Sequence, residues 1–336
     1  MGKNLLLKSI KGEKIDRFPV WLMRQAGRYL KEYKNLRSKE KDFLSFCKNV
    51  GLATKASLLP VELLDVDAVI LFSDILVPLE PMGVKVEFKD GDGPVLFWDR
   101  DVKNLKRITY KSADFVNDIV RSIKTAVKEL PLIGFCGGPF TLLSYMVEGR
   151  GNGSFKNTKA FLWRNEDSRR LMSLLVDNLR EYLKGQVLAG IDVVQVFDSW
   201  TMHLPYEDFE DYARTYLRKL FTDIKREFGI PIIYFYRGSS SFLSVIKELP
   251  ADVVSVDWTV DMVGEMSKSN KAFQGNLDPQ VLYMDEDFIA KKVVELLRCI
   301  PRKTKYIFNL GHGLAPDMDF HKVKLLVDTV KAYKLV

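Results

Sequence analysis

The chain is poor in the residues that build metal, redox and nucleotide sites. Its 336 residues include three cysteines and three histidines. Cys47, Cys136 and Cys299 are odd in number and unclustered, which does not make a disulfide framework, and a reducing cytoplasm is the expected location. No CxxC, HExxH or HxC pattern occurs, so a metal is not expected. A P-loop is absent. The GRGNG stretch at 149–153 follows a helical pattern rather than a strand, and reads as a loop that covers a site. No run of about 18 apolar residues is present, so no membrane span is expected. The N-terminal MGKNLLLKSIKGEKIDR has too short an apolar run for a signal peptide and predicts an amphipathic helix. Lysines are scattered rather than gathered in a block. The net charge of +7 and pI near 9.0 therefore imply a mild attraction for anions, not nucleic-acid binding. No linker, low-complexity tract or internal repeat divides the chain, and one domain over residues 1–336 is expected.

What is present is a large apolar content, 47% hydrophobic with 12% aromatic, and a repeating order. Eight short apolar runs fit buried parallel strands: 19–23, 68–72, 132–135, 193–197, 230–236, 253–256, 271–273 and 306–310. Most are continuous in apolar residues, as strands covered on both faces should be. Helical patterns separate them at 43–59, 113–129, 161–189, 206–227, 243–249, 261–267, 287–298 and 319–331, and the third breaks near the capping cluster Asn165, Glu166, Asp167 and Ser168. The alternation predicts an α/β fold, a (β/α)8 barrel. Residues 84–88 and 95–98, joined by a glycine-rich turn at 89–94, predict a β-hairpin inserted after the second strand.

Barrel enzymes keep their chemistry at the C-terminal ends of the strands. Read in order, those ends are Arg24-Gln25, Ser73-Asp74, Cys136-Gly137-Gly138-Pro139 with Tyr145 beyond, Asp198-Ser199, Tyr236-Arg237-Gly238, Asp257-Trp258, Gln274-Gly275-Asn276 and Gly311-His312-Gly313. The first stands out. FPVWLMRQAGRYLKEYKNLR, residues 18–37, turns from an apolar strand to Arg24, Arg28 and Arg37. Guanidinium forks suit carboxylate or phosphate. On a helix, Arg24 and Arg28 would share a face. Solvated arginines at a helix start are the bland alternative, and the strand before them weighs against it. Asp74, read from position alone, is as well explained as an N-cap. His203 reads as a loop histidine and His321 as a surface one.

MRQAGRYL at 23–30, FSDIL at 72–76, GFCGGPFTLLSYMVEG at 134–149, FDSW at 197–200 and FNLGHG with a trailing PDM at 308–318 together resemble the uroporphyrinogen decarboxylase family. The resemblance spans nearly the whole chain. It implies a homodimeric barrel without metal or cofactor that converts the four acetate side chains of uroporphyrinogen to methyls, giving coproporphyrinogen. Residue by residue, it implies substrate binding by Arg24, Gln25, Arg28 and Arg37, a central Asp74, cleft partners Tyr145, Ser199 and His312, and aromatic walls Phe135 and Phe197. Lys31 departs from the proline usual after RYL, a difference with no bearing on the chemistry. The polar run 239–241 has no reading.

The residues fit such a reaction. Arginines suit a substrate with eight carboxylates. Asp74 would repel a polyanion, yet it suits the pyrrole N–H groups at the ring centre and the positive charge that develops there. On this reading Asp74, with Arg24 or Arg28 on the reacting acetate, carries catalysis. Three other readings compete: a zinc-dependent methyltransferase on corrinoid or thiol substrates, a non-catalytic tetrapyrrole carrier, and, last, a phosphate-binding barrel aldolase.

Overall fold

Branched and aromatic side chains dominate the segments that pair, as a pleated surface covered on both faces requires. In chain order the strands are β1 (Val69–Ile70), β2 (Lys85–Lys89), β3 (Gly93–Phe97), β4 (Leu132–Gly137), β5 (Val193–Asp198), β6 (Ile232–Tyr236), β7 (Val253–Ser255), β8 (Ala272–Leu277) and β9 (Tyr306–Leu310). The structure, a computed structural model, describes residues 4–89, 93–151, 154–164, 166–238, 240–302 and 304–335. Seven strands pair in parallel in the order β1-β4-β5-β6-β7-β8-β9, and β2 pairs antiparallel with β3 in a separate hairpin. Helices separate the parallel strands, among them Asp114–Ala126, Asp167–Ala189, Arg218–Phe228, Glu286–Cys299 and Phe320–Ala332.

The eighth stave is the predicted first strand, and here the structure corrects the expectation. Residues 19–23 form no regular strand. They make one parallel bridge, Val20 to Phe308, with the Phe308 N–H donating to the Pro19 carbonyl at 2.9 Å and the Trp21 N–H to the Phe308 carbonyl at 3.4 Å. On the other side the Asp67 N–H donates to the Val20 carbonyl at 2.8 Å. Side chains supply the rest. The Val20 N–H donates to Asp67, whose carboxylate is gripped by Arg17 through bonds of 2.6 and 2.7 Å. The Met23 N–H donates to Asn309 Oδ1, and the Gln25 amide bridges the Leu22 N–H and the Ala68 carbonyl. The segment closes the barrel without regular ladder pairing because its polar backbone groups find side-chain partners instead.

Alternation then sorts inside from outside. Trp21, Met23, Ala68, Ile133, Val193, Ile233, Phe235, Val253, Ala272 and Ile307 pack together, while Val20, Leu22, Leu132, Val194, Ile232, Val254, Phe273 and Phe308 join the core beneath the helices. Each such burial contributes roughly 1.5–3 kcal/mol before entropy is counted. Leu6 and Ile10 from the predicted N-terminal helix (Leu5–Lys11) plug the interior. Above the apolar filling lies a polar belt. The Trp21 indole N–H donates to Gln274 Oε1 at 2.9 Å, and Gln274 Nε2 donates to Ser255 Oγ at 2.9 Å.

Several boundaries move. The helix expected at 43–59 divides into Phe43–Lys48 and Val50–Leu64, since the Asn49 side chain caps the second by accepting from the Leu52 N–H. The long helix breaks after Lys156–Arg164, but Glu166 at the following N-cap makes no side-chain capping bond. The strand expected at 271–273 runs on to Leu277. Four features fall partly outside the described residues: the hairpin turn at 90–92, the GRGNG stretch at 152–153, the capping cluster at Asn165 and the polar run at Ser239.

Candidate active site

The two MRQAGRYL arginines are presented on turns, not on a helix. Residues 24–30 form turns pinned by the Tyr29 hydroxyl donating to the Gln25 carbonyl at 2.7 Å. Arg24 itself adopts φ of 60°, the left-handed region, which a non-glycine residue enters only when its surroundings hold it there. What holds it is stitched on both sides: Met23 to Asn309 and, through its carbonyl, to the Leu314 N–H at 3.0 Å. The Arg24 side chain lies across the GHG backbone. A Cβ added to Gly313 would stand 2.5 Å from Arg24 Cδ and 3.0 Å from its Nε. Gly313→Ala must therefore displace the guanidinium. We expect about a tenfold fall in kcat/KM with an unchanged melting temperature, measured by steady-state kinetics beside thermal unfolding.

Asp74 follows β1 at the barrel mouth. Its Oδ1 accepts the Leu76 N–H at 2.8 Å in a local turn; the next helix, Leu79–Met82, starts from Pro78, so Asp74 is not the helix cap that its position suggested. Burial pushes its carboxyl from 3.8 up to about 6. The Leu76 N–H and the charge of Arg24 hold it from rising further. His312 is pushed down to about 3, first by burial and then by the charges of Arg24 and Arg237. It is a neutral imidazole near two cations, able to donate its one N–H to a carboxylate but not charged to act as a general acid. Tyr145 is pushed up to about 12 by burial and by the charge of Asp74, against Trp200 and Arg24. Arg24 is thus within electrostatic reach of Asp74, Tyr145 and His312, and Asp74 of Tyr145.

An aromatic wall lines the same opening. Phe135 and Phe197 meet edge to face at 5.6 Å, Phe197 meets Phe235 at 6.1 Å, and Phe235 lies 6.1 Å from the His312 ring. Tyr145 packs on Trp200 at 6.0 Å, and Trp200 and His203 pack on Phe155. The hairpin joins this wall. The Leu96 N–H donates to the Gly149 carbonyl at 2.9 Å, Val95 bridges Arg150, and the Trp98 indole donates to the Met146 carbonyl. The start of the GRGNG stretch is therefore one edge of a flap beside Tyr145.

Not every candidate stands at the opening. Gln25 is fully buried with both ends of its amide bonded to backbone. That makes it a brace of the first stave, not a donor facing the cleft. Arg28 is exposed, and Arg37, half-buried, donates to the Glu40 carbonyl at 2.7 Å; both act electrostatically on Tyr33, further out than Arg24. Ser199 is half-buried next to Asp198. Asp198 itself, the acid of FDSW, is structural. It is fully buried and accepts from the Thr141 N–H and hydroxyl, Tyr212 and Tyr234. A Cβ on Gly138 would stand 2.2 Å from its carboxyl carbon, so this glycine is what lets the GGPFT turn sit on that carboxylate. Among the described residues, no group of three or more histidine, cysteine, aspartate or glutamate side chains could hold a metal ion. Trp200, Trp258 and Arg237 belong to the opening, with buried Phe235 beneath His312, and none of the four was among the candidates. For Arg237 and Trp258 the available signal was their place at strand ends.

Known proteins resemble this chain throughout its length. A family model, Uroporphyrinogen decarboxylase (URO-D), matches residues 1–333. The uroporphyrinogen decarboxylase of Aquifex aeolicus (strain VF5) is 53% identical over 337 residues, covering 100% of both chains. That of Hydrogenobaculum sp. (strain Y04AAS1) is 47% identical, over 98% of this chain and 96% of its own. Among solved structures, a methyltransferase from Methanosarcina mazei superposes with a TM-score of 0.80 over 98% of each chain at 20% identity, a likeness of fold alone.

Proposed function

The chain belongs to the uroporphyrinogen decarboxylase family, and on that premise we propose how its barrel mouth performs the decarboxylation. The substrate is uroporphyrinogen, and each of its four acetates becomes a methyl. The observation that carries the reading is a half-buried carboxylate, Asp74, its pKa raised to about 6 by its surroundings, in an opening that also presents Arg24 and the Phe135–Phe197 pair.

The electron pair left by carbon dioxide needs an acceptor, and the pyrrole provides it. A proton adds to the ring carbon bearing the methylene bridge and makes the ring iminium-like. The bond to the carboxylate then breaks, carbon dioxide leaves, and the electron pair neutralises the ring as an exocyclic methylene. A proton adds to that methylene to make the methyl, and the ring carbon gives up its own. One proton is consumed for each acetate.

Asp74 accepts hydrogen bonds from the pyrrole N–H groups and faces the cation as it forms. Two unit charges 4 Å apart are worth about 4 kcal/mol at an effective dielectric near 20. Each 1.4 kcal/mol is about tenfold in rate. Arg24 takes the reacting acetate, with Arg28 and Arg37 serving carboxylates further out. His312 and Tyr145 hydrogen-bond carboxylates beside it, as does Ser199, and Phe135 and Phe197 flank the ring faces.

On the family resemblance the protein works as a homodimer. A reducing cytoplasm suits three unpaired cysteines. Among the described residues no helix is long and apolar enough to cross a membrane. The test is anaerobic incubation of chelator-treated protein with uroporphyrinogen, followed by oxidation and separation by carboxyl number. Products with seven, six, five and four carboxyls are expected. Eight-carboxyl material recovered unchanged from folded protein would refute the reading.

A further inference from the structure

Arg24 stands on one side of the mouth, and a ring with carboxylates on every side needs cations on more than one. Counting staves from the 19–23 segment through β1, β4 and β5, β6 lies halfway around the barrel. Its C-terminal end carries Arg237. The guanidinium carbon lies 5.8 Å from the Trp258 ring centroid. The side chain is 27% exposed, and its Nε is 4.0 Å from Asp257 Oδ2, beyond hydrogen-bond reach. That buried Nε has no hydrogen-bond partner among the described residues. Asp257 turns its Oδ1 to the Thr259 N–H and hydroxyl, while its Oδ2 remains an ion-pair neighbour of Arg237 too distant to bond the Nε. The Arg237 backbone is fixed, its carbonyl accepting from Thr201 Oγ1 at 3.2 Å. A cation is thus positioned by stacking, with donor capacity unspoken for, across the opening from Arg24.

We propose that Arg237 is a substrate-binding residue that takes a carboxylate on the side of the macrocycle away from Arg24. The assignment rests on the decarboxylase reading above. The buried, unpartnered Nε becomes bonded when a carboxylate arrives, the fork geometry matches the ligand, and the Trp258 face keeps the fork oriented. Its charge acts on the rate through binding, because it bears on His312 and not on Asp74.

The experiment compares wild type, R237Q and R237K in two measurements: anaerobic kinetics with uroporphyrinogen, and the Kd for the oxidised eight-carboxyl porphyrin by fluorescence quenching at two salt concentrations. A charged hydrogen bond lost from a site lowers affinity roughly tenfold to a hundredfold. R237Q is expected to raise KM and Kd by that factor, to leave kcat within about threefold, and to bind with weaker salt dependence than wild type. R237K should recover most of the loss. R237M, which keeps the stem over Trp258, replaces R237Q should the latter not fold. Unchanged KM and Kd in R237Q would overturn the assignment, as would a lysine variant as impaired as the glutamine one, since packing rather than charge would then be at work. A wild type that converts nothing would sink the decarboxylase reading and this assignment with it, whereas an active wild type beside an unchanged R237Q sinks the assignment alone.

Discussion

Asp74→Asn should lower kcat by roughly 10²–10³ and yet make the protein more stable. Removing a preorganised group aimed at developing charge costs about 3–4 kcal/mol of transition-state stabilisation in other sites, and the isosteric amide keeps the Leu76 N–H bond that Asp74 makes. The stability effect follows from the same burial. The folded-state carboxyl is raised from 3.8 to about 6, so the fold prefers the protonated form. That preference is fully present below pH 4 and is lost as pH rises through 6, above which the buried charge is a burden of about 1–3 kcal/mol. Asn removes the burden. Chemical unfolding at pH 7.5 should show D74N more stable than wild type, and at pH 4 the two should coincide. A variant slow because it misfolds would be less stable at both.

Arg24→Gln should cut kcat/KM by about 10²–10³, with no more than about 0.5 kcal/mol lost in stability. Arg24 is exposed and makes no bond that holds the fold together, and surface substitutions of that kind are usually near neutral. What is lost is a bidentate partner for the reacting carboxylate. A second consequence marks the mechanism. The charge of Arg24 holds Asp74 down and also depresses His312. With it gone, both groups titrate higher, so the acid limb of the kcat/KM profile in R24Q should lie above the wild-type one. A pH series of initial rates reads both effects at once.

The barrel staves were legible in the sequence because strands buried on both faces leave continuous apolar runs, and because Asp, Gly and Ser punctuate their ends. β4 begins where expected, and β9 coincides with its run. The first stave was legible as apolar but not as irregular, since its pairing depends on Asp67 and Asn309, 47 and 286 residues distant from the amides they serve. The same remoteness hid the shape of the MRQAGRYL turn. Four-residue spacing favours a helix face, while the left-handed Arg24 is imposed by stitches to Asn309 and Leu314 that local sequence does not encode. The family resemblance implied substrate binding by Gln25; only the fold reveals that its amide is buried, bonded to the Leu22 N–H and the Ala68 carbonyl. Asp74 and Asp198 are both acids after apolar runs. What separates them is surroundings: three hydroxyls and an N–H enclose Asp198, whereas one N–H and a distant guanidinium attend Asp74. Arg237 stands at a strand end as Arg24 does, but outside every stretch that carries the family resemblance.

The measurement that bears most directly on the central claim is the pH profile of kcat/KM for wild type and D74N with uroporphyrinogen. Ionised Asp74 carries the reaction in this account, so wild-type kcat/KM should fall about tenfold per unit below an apparent pKa near 6. The residual activity of D74N should cross the same range without that break. If D74N showed the wild-type break, or kept wild-type rates, the charge that stabilises the pyrrole cation would have to come from somewhere other than Asp74.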